Sequence, residues 1–170
     1  MQILFFITEG DNCVDSERLE EAISFYKQAL KIRENNPEVY TKLGYVFIRK
    51  GEYNQAISFL QKGCRLSPKN VSLLNGLARA YRKSHQFVKA EDTYKKALEI
   101  DDEYIWALSG LGQIYLQKGD FDNAEIVYHK ILSTDSSLHP NINLGIVYAC
   151  KKDHEKIKYY FGRALSLIEA

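Results

Sequence analysis

No apolar run in the sequence reaches the roughly 18 residues that a membrane-crossing helix needs. The start, MQILFFI, is apolar for only seven residues. It has neither a basic beginning nor a small-residue cleavage site, so a secretory signal is not expected. Cysteine is scarce. Cys13, Cys64 and Cys150 lie far apart with no metal-ligand spacing, and they read as small reduced core residues. That suits a reducing compartment, and the expected location is cytoplasmic. Excess charge is lacking too: a net charge of +1 argues against a general binder of polyanions. His85, His129, His139 and His154 are scattered, and none pairs with another His or Cys at ligand spacing. There is no glycine-rich phosphate loop and no nucleophile elbow. The acidic pair Asp101-Asp102 falls at a helix start, where capping explains it. The expectation is a protein with no catalytic residues, no metal and no cofactor.

What the sequence does have is a period. Ala22, Ala56, Ala90 and Ala124 are spaced by 34 residues. Leu43-Gly44, Leu77-Ala78, Leu111-Gly112 and Leu144-Gly145 mark the same point in four successive units. Such a period signals stacked helical repeats. In the unit 37–70, Tyr40, Leu43, Gly44 and Phe47 fall at i, i+3, i+4 and i+7, one face of a helix. Asn36 followed by Pro37 is a start signal, a capping side chain before a residue that has no N–H to satisfy. Gly51 ends that helix. A second helix from about Asn54 to Arg65 sets Ala56, Ile57, Leu60 and Cys64 on its apolar side, and Ser67-Pro68 closes the unit. Gly44 and Ala56 are small enough to let two helix axes approach closely.

The order Tyr40, Leu43, Gly44, Phe47, Ala56, Leu60 and Pro68 resembles the tetratricopeptide repeat (TPR), and the likeness runs from about Glu17 to the end of the chain. The resemblance implies an all-α fold, a right-handed α-solenoid of stacked antiparallel helix pairs, the TPR superhelix. It also implies a concave groove that binds segments of other proteins. The expected organisation is one array over 1–170: a degenerate repeat at 1–36, then repeats at 37–70, 71–104, 105–138 and 139–170.

Several stretches depart from the pattern. In the first unit Phe6 and Gly10 are in register, but Glu9 stands where Leu is expected and Cys13 where an aromatic is expected. With Gly10-Asp11-Asn12 a turn signal, the reading is a shortened first helix whose apolar residues cover the end of the stack. A docking segment for another chain is the alternative. Ser16 is the expected cap of the next helix. Ile131 replaces a small residue, which predicts a wider step to the following unit. The last unit is one residue short, and Ile157 takes the place of the small Ala, with Gly145 expected to make room for it. The final helix carries Ile157, Tyr160, Phe161, Ala164, Leu165 and Ile168, and this apolar face predicts self-association or further chain.

The candidate groove consists of first-helix positions offset from the packing stripe. These are Thr41, Tyr45, Ile48 and Arg49, then Asn75, Arg79 and Arg82, then Trp106, Ser109, Gln113 and Leu116, then Ile142, Ile146 and Ala149. Arginine and aromatic residues are frequent anchors at interfaces. The charge is uneven: residues 37–70 carry six Lys/Arg against two Asp/Glu, and residues 1–36 carry four against seven. Lys83 extends the basic zone. The expected partner is a protein or peptide segment with acidic and apolar side chains. Some members of the resembled family bind a carboxylate tail through Lys and Asn side chains. Thr41, Tyr45 and Gly76 stand at the first three of those positions, so tail binding of that kind is disfavoured.

The expected function is therefore a non-catalytic protein-interaction scaffold or adaptor. One alternative is an RNA-binding helical array, which the near-neutral charge and the lack of a recurring polar code position disfavour. Another is an interaction domain of a larger enzyme or of a secretion or assembly complex.

Overall fold

A computed structural model describes residues 2–169. Among the described residues there are ten α-helices and no strand. They are α1 (Gln2–Asp15), α2 (Leu19–Ile32), α3 (Pro37–Arg49), α4 (Tyr53–Leu66), α5 (Val71–Lys83), α6 (Phe87–Leu98), α7 (Ile105–Lys118), α8 (Phe121–Thr134), α9 (Leu138–Lys151) and α10 (His154–Ser166). The fold is all-α and built of helix pairs. The chain forms two compact units, 1–100 with α1 to α6 and 101–170 with α7 to α10.

Local chemistry sets the boundaries. The Asn36 side chain accepts from the Glu38 and Val39 amides at 3.0 and 3.4 Å, ahead of Pro37 at the first helical position. Asn70 caps α5, Asp120 caps α8 and Asp153 caps α10 in the same way. Ser16 does not cap α2. It lies in the turn, and Arg18 holds the capping position with no side-chain bond. The turn inside each pair places one residue in the left-handed region: Glu17, Gly51, His85, Gly119 and Lys152. Glycine adopts this conformation at no steric cost, whereas the other three carry a side chain there.

Four of the five pairs pack a large side chain of the second helix over a glycine of the first, and in α5–α6 Ala78 holds that position. A Cβ on Gly10 would lie 2.4 Å from the Tyr26 ring, and one on Gly44 would lie 2.3 Å from Leu60. On Gly112 it would meet Tyr128 at 2.7 Å, and on Gly145 it would meet Phe161 at 2.6 Å. Gly145 thus makes room for Phe161, not for Ile157, because the glycine packs on the residue 16 positions later, as Gly10, Gly44 and Gly112 do. The first helix is not shortened either. α1 runs a full 14 residues, and Gly10-Asp11-Asn12 lies inside it. The turn signal fails because Gly10 serves as the packing site for Tyr26, and that contact outweighs local propensity.

Cys13 is buried and Cys64 half-buried, its thiol pushed up to about 11 by burial. Cys150 is exposed near the end of α9, so it is not a core residue. Burial also leaves gaps. Leu4 and Phe5 on α1 are exposed, as are Tyr159 and Leu165 on α10.

In the second unit α8 and α9 share a polar cluster. The Tyr148 hydroxyl donates to Glu125 Oε1 at 2.6 Å, and Lys151 Nζ lies 2.6 Å from both Glu125 Oε2 and Asp122 Oδ1. The Tyr148 ring stacks on Tyr160 at 5.3 Å. Lys151 first, then the Tyr148 hydroxyl, hold the Glu125 carboxyl below its usual range. A lowered folded-state pKa means that the stabilisation is present above the ordinary carboxylate range and is lost as pH falls through the lowered value. Glu125→Gln is therefore expected to destabilise the chain most above about pH 5, with the gap closing below about pH 4. Urea midpoints of both proteins across that range check this. A pH-independent gap would contradict it.

Candidate protein-interaction surface

In the first unit the first-helix faces meet through their side chains. Tyr45 Oη on α3 accepts from Asn75 Nδ2 on α5 at 3.0 Å, and the ring passes close to Gly76. Lys42 on α3 reaches back to Asp11 on α1 at 2.8 Å, and Asp11 also accepts from the buried Tyr26 hydroxyl at 2.6 Å. These contacts define a register. The residue after the packing glycine of one first helix faces the residue two before the packing position of the next. Asp11 faces Lys42, and Tyr45 faces Gly76.

The structure sorts the sequence candidates. Arg79 is exposed, next to the Tyr45–Asn75 bridge along α5. Asn75 itself is buried, its amide engaged by Tyr45. Ile48 is buried in the core of its pair, so it belongs to the packing and not to an open face. The Thr41 hydroxyl donates to the Pro37 carbonyl of its own helix at 2.9 Å. Arg49 donates to the Glu17 carboxylate and to the Val14 carbonyl. Arg82 is half-buried beside Tyr94, and its Nε is buried without a hydrogen-bond partner among the described residues. Much of the positive charge foreseen for this face is thus met from within, which leaves Arg79 and Lys83 exposed.

The second unit differs. Helices α3 and α5 are in close contact, whereas α7 and α9 barely meet, as is also true of α1 and α3. Between α7 and α9 lies a cleft of about 420 Å³ lined by Ile105, Trp106, Ser109, Gln113, Ile131, Asp135, His139, Pro140 and Asn143. Ile131 on α8 is part of that lining. It stands where α4 has Gly63, which the Leu73 side chain approaches to 2.5 Å of a would-be Cβ, and where α6 has Ala97.

Gln113 and Asn143 occupy the same register as Asp11 and Lys42. No described residue hydrogen-bonds the side chains of Gln113, Asn143 or Ser109. Trp106 stands at the mouth, 70% exposed. Asp135 holds one carboxylate oxygen toward the Ser137 amide at 2.9 Å. Of the candidates on these two helices, Trp106 and Gln113 line the cleft. Leu116 and Ile142 are half-buried away from its lining, and Ile146 is exposed outside it. The sequence reading missed Asn143, Asp135 and His139. The register that pairs Lys42 with Asp11 carries the signal for Asn143. Among the described residues, no group of three metal-ligating side chains could hold an ion. No helix of these residues is long and apolar enough to cross a membrane.

Three family models match consecutive stretches: one described as TPR repeat over residues 10–51, and two described as tetratricopeptide repeat over 37–70 and 70–137. The chain belongs to the tetratricopeptide repeat family. Solved TPR structures resemble it along its length. A MamA protein is 27% identical, with 99% of this chain and 92% of that one covered and a TM-score of 0.81. PilF of Pseudomonas aeruginosa is 16% identical, with 97% and 76% covered and a TM-score of 0.88. YrrB, described as a TPR protein with an unusual peptide-binding site, is 23% identical, with 95% and 84% covered and a TM-score of 0.73. The last two support the fold alone. A comparison with curated protein sequences returns no match. TPR membership and the MamA likeness make this chain a protein-interaction scaffold with the helical-repeat solenoid fold.

Proposed function

We propose that this TPR chain is a non-catalytic adaptor that holds an extended segment of a partner protein against the exposed faces of its first helices. The observation that carries this reading is the α7–α9 cleft, where amides in the register of an internal ion pair stand without a bonding partner. These half-buried amides line an open cleft, and a peptide backbone supplies both the donor and the acceptor that complement them. On the α3–α5 face, the exposed Arg79 favours an acidic side chain of the partner.

Site-specific crosslinking tests the reading. The full chain carries p-benzoylphenylalanine in place of Ser109, of Arg79 or, as control, of the exposed Lys96 on α6. Irradiated in lysate of the source cells, the Ser109 and Arg79 positions are expected to capture a protein that the Lys96 position does not. Capture of the same proteins from all three positions would contradict the proposal.

A further inference from the structure

We infer that the α7–α9 cleft selects a segment in which an aliphatic or aromatic side chain stands beside a lysine or arginine. This rests on the reading that first-helix faces hold peptide, and it names the chemistry of what one of them holds.

The lining has three parts. Ile105, Trp106, Ile131 and Pro140 form an apolar wall able to take one large side chain. Ser109, Gln113 and Asn143 are neutral hydrogen-bonding groups on opposite helices. Each amide offers one acceptor and two donor hydrogens, the complement of a peptide unit. The only carboxylate of the lining is Asp135, and the lining contains no Lys or Arg. Asp135 gives one oxygen to the Ser137 amide and leaves its remaining lone pairs for a ligand.

The charges nearby reinforce this. Asp101, Asp102 and Glu103 immediately precede α7, and of these Asp102 is paired with Lys130 at 2.7 Å. Counted over residues 101–170, ten Asp/Glu face seven Lys/Arg, a net of −3. An acidic ligand would meet a carboxylate in a lining that holds no Lys or Arg. A cationic one would find its counter-charge beside an apolar wall, where solvent screening is reduced. The preference is thus opposite in sign to that of the Arg79 face.

The test begins with a random 12-residue display library selected on the full wild-type chain. An enriched peptide is then made with a fluorescent label. Binding is followed by anisotropy against wild type, Trp106→Ala and Asp135→Asn. Asp135→Asn keeps an acceptor for Ser137, and Trp106 is exposed, so both chains are expected to fold. The inference predicts an enriched motif with a large apolar residue within three positions of a Lys or Arg. It further predicts about tenfold weaker binding for either variant. Replacing the peptide's Lys or Arg by Gln is expected to cost about the same factor and to remove most of the salt dependence. Peptides that lose affinity with Trp106→Ala but carry acidic residues, or no cation, would overturn this inference and leave the proposed function standing. Failure to enrich any peptide, or enrichment of peptides indifferent to Trp106→Ala, would overturn both.

Discussion

Gly44→Val is expected to destabilise the first unit by about 3 kcal/mol, the upper part of the range for overpacked cores. A Cβ at position 44 would sit 2.3 Å from Leu60 Cγ and 2.4 Å from its Cδ2. Leu60 is fully buried and cannot swing aside into solvent. Valine adds two methyls to that clash. Helix propensity works in the opposite direction, because glycine inside a helix is the poorer former by up to about 1 kcal/mol. A net loss would therefore measure the packing cost directly. A double-mutant cycle sharpens the test. Leu60→Ala alone should cost about 2–5 kcal/mol through the cavity it leaves. Combined with Gly44→Ala, the total should fall short of the sum by about 1 kcal/mol or more, because the new methyl fills part of that cavity. Urea denaturation of the four proteins gives the coupling. Strict additivity would show that Gly44 and Leu60 do not share one space.

Tyr148→Ala is expected to cost about 3–5 kcal/mol in the second unit. The ring is 2% exposed and stacks on Tyr160, and Lys156 Nζ lies 4.5 Å from its centroid. Its hydroxyl also satisfies Glu125 and sits 3.2 Å from His129 Nε2. Tyr148→Phe separates the two contributions. It keeps the ring and loses only the hydroxyl, so about 1–2 kcal/mol is expected. Hydrogen exchange locates the damage: amides of α8, α9 and α10 should lose protection with Tyr148→Ala. An equal loss for Phe and Ala would mean that the ring contributes nothing and the polar cluster everything.

The fold was legible because it repeats. One unit, 37–70, contains a capping Asn36, Pro37, a glycine at the close approach and the closing Ser67-Pro68. The structure places helices where those signals predict. Single positions misled where a local signal competed with packing. Gly10-Asp11-Asn12 reads as a turn in isolation, but in register it is the slot for Tyr26. Gly145 was matched to Ile157, yet the glycine packs on the residue 16 positions later, which is Phe161. The candidate surface was less legible, since periodicity tells which face a residue occupies and not whether its neighbours consume it. Ile48 turned into the core, and Arg49 found partners within the unit. The cleft between α7 and α9 has a far wall of α9 residues that no single-unit reading includes.

The central claim is that this cleft is where a partner segment binds. Trp106 is the only tryptophan of the sequence and stands at the cleft's mouth, so its emission reports on that site alone. The decisive measurement is a titration of the full chain with a library-selected peptide lacking tryptophan, followed in parallel by calorimetry and by Trp106 emission. The account predicts a saturable emission change with the calorimetric affinity, and loss of both signals in a Gln113→Ala, Asn143→Ala double variant of unchanged helicity. Calorimetric binding that leaves Trp106 emission unmoved and survives the double variant would contradict it.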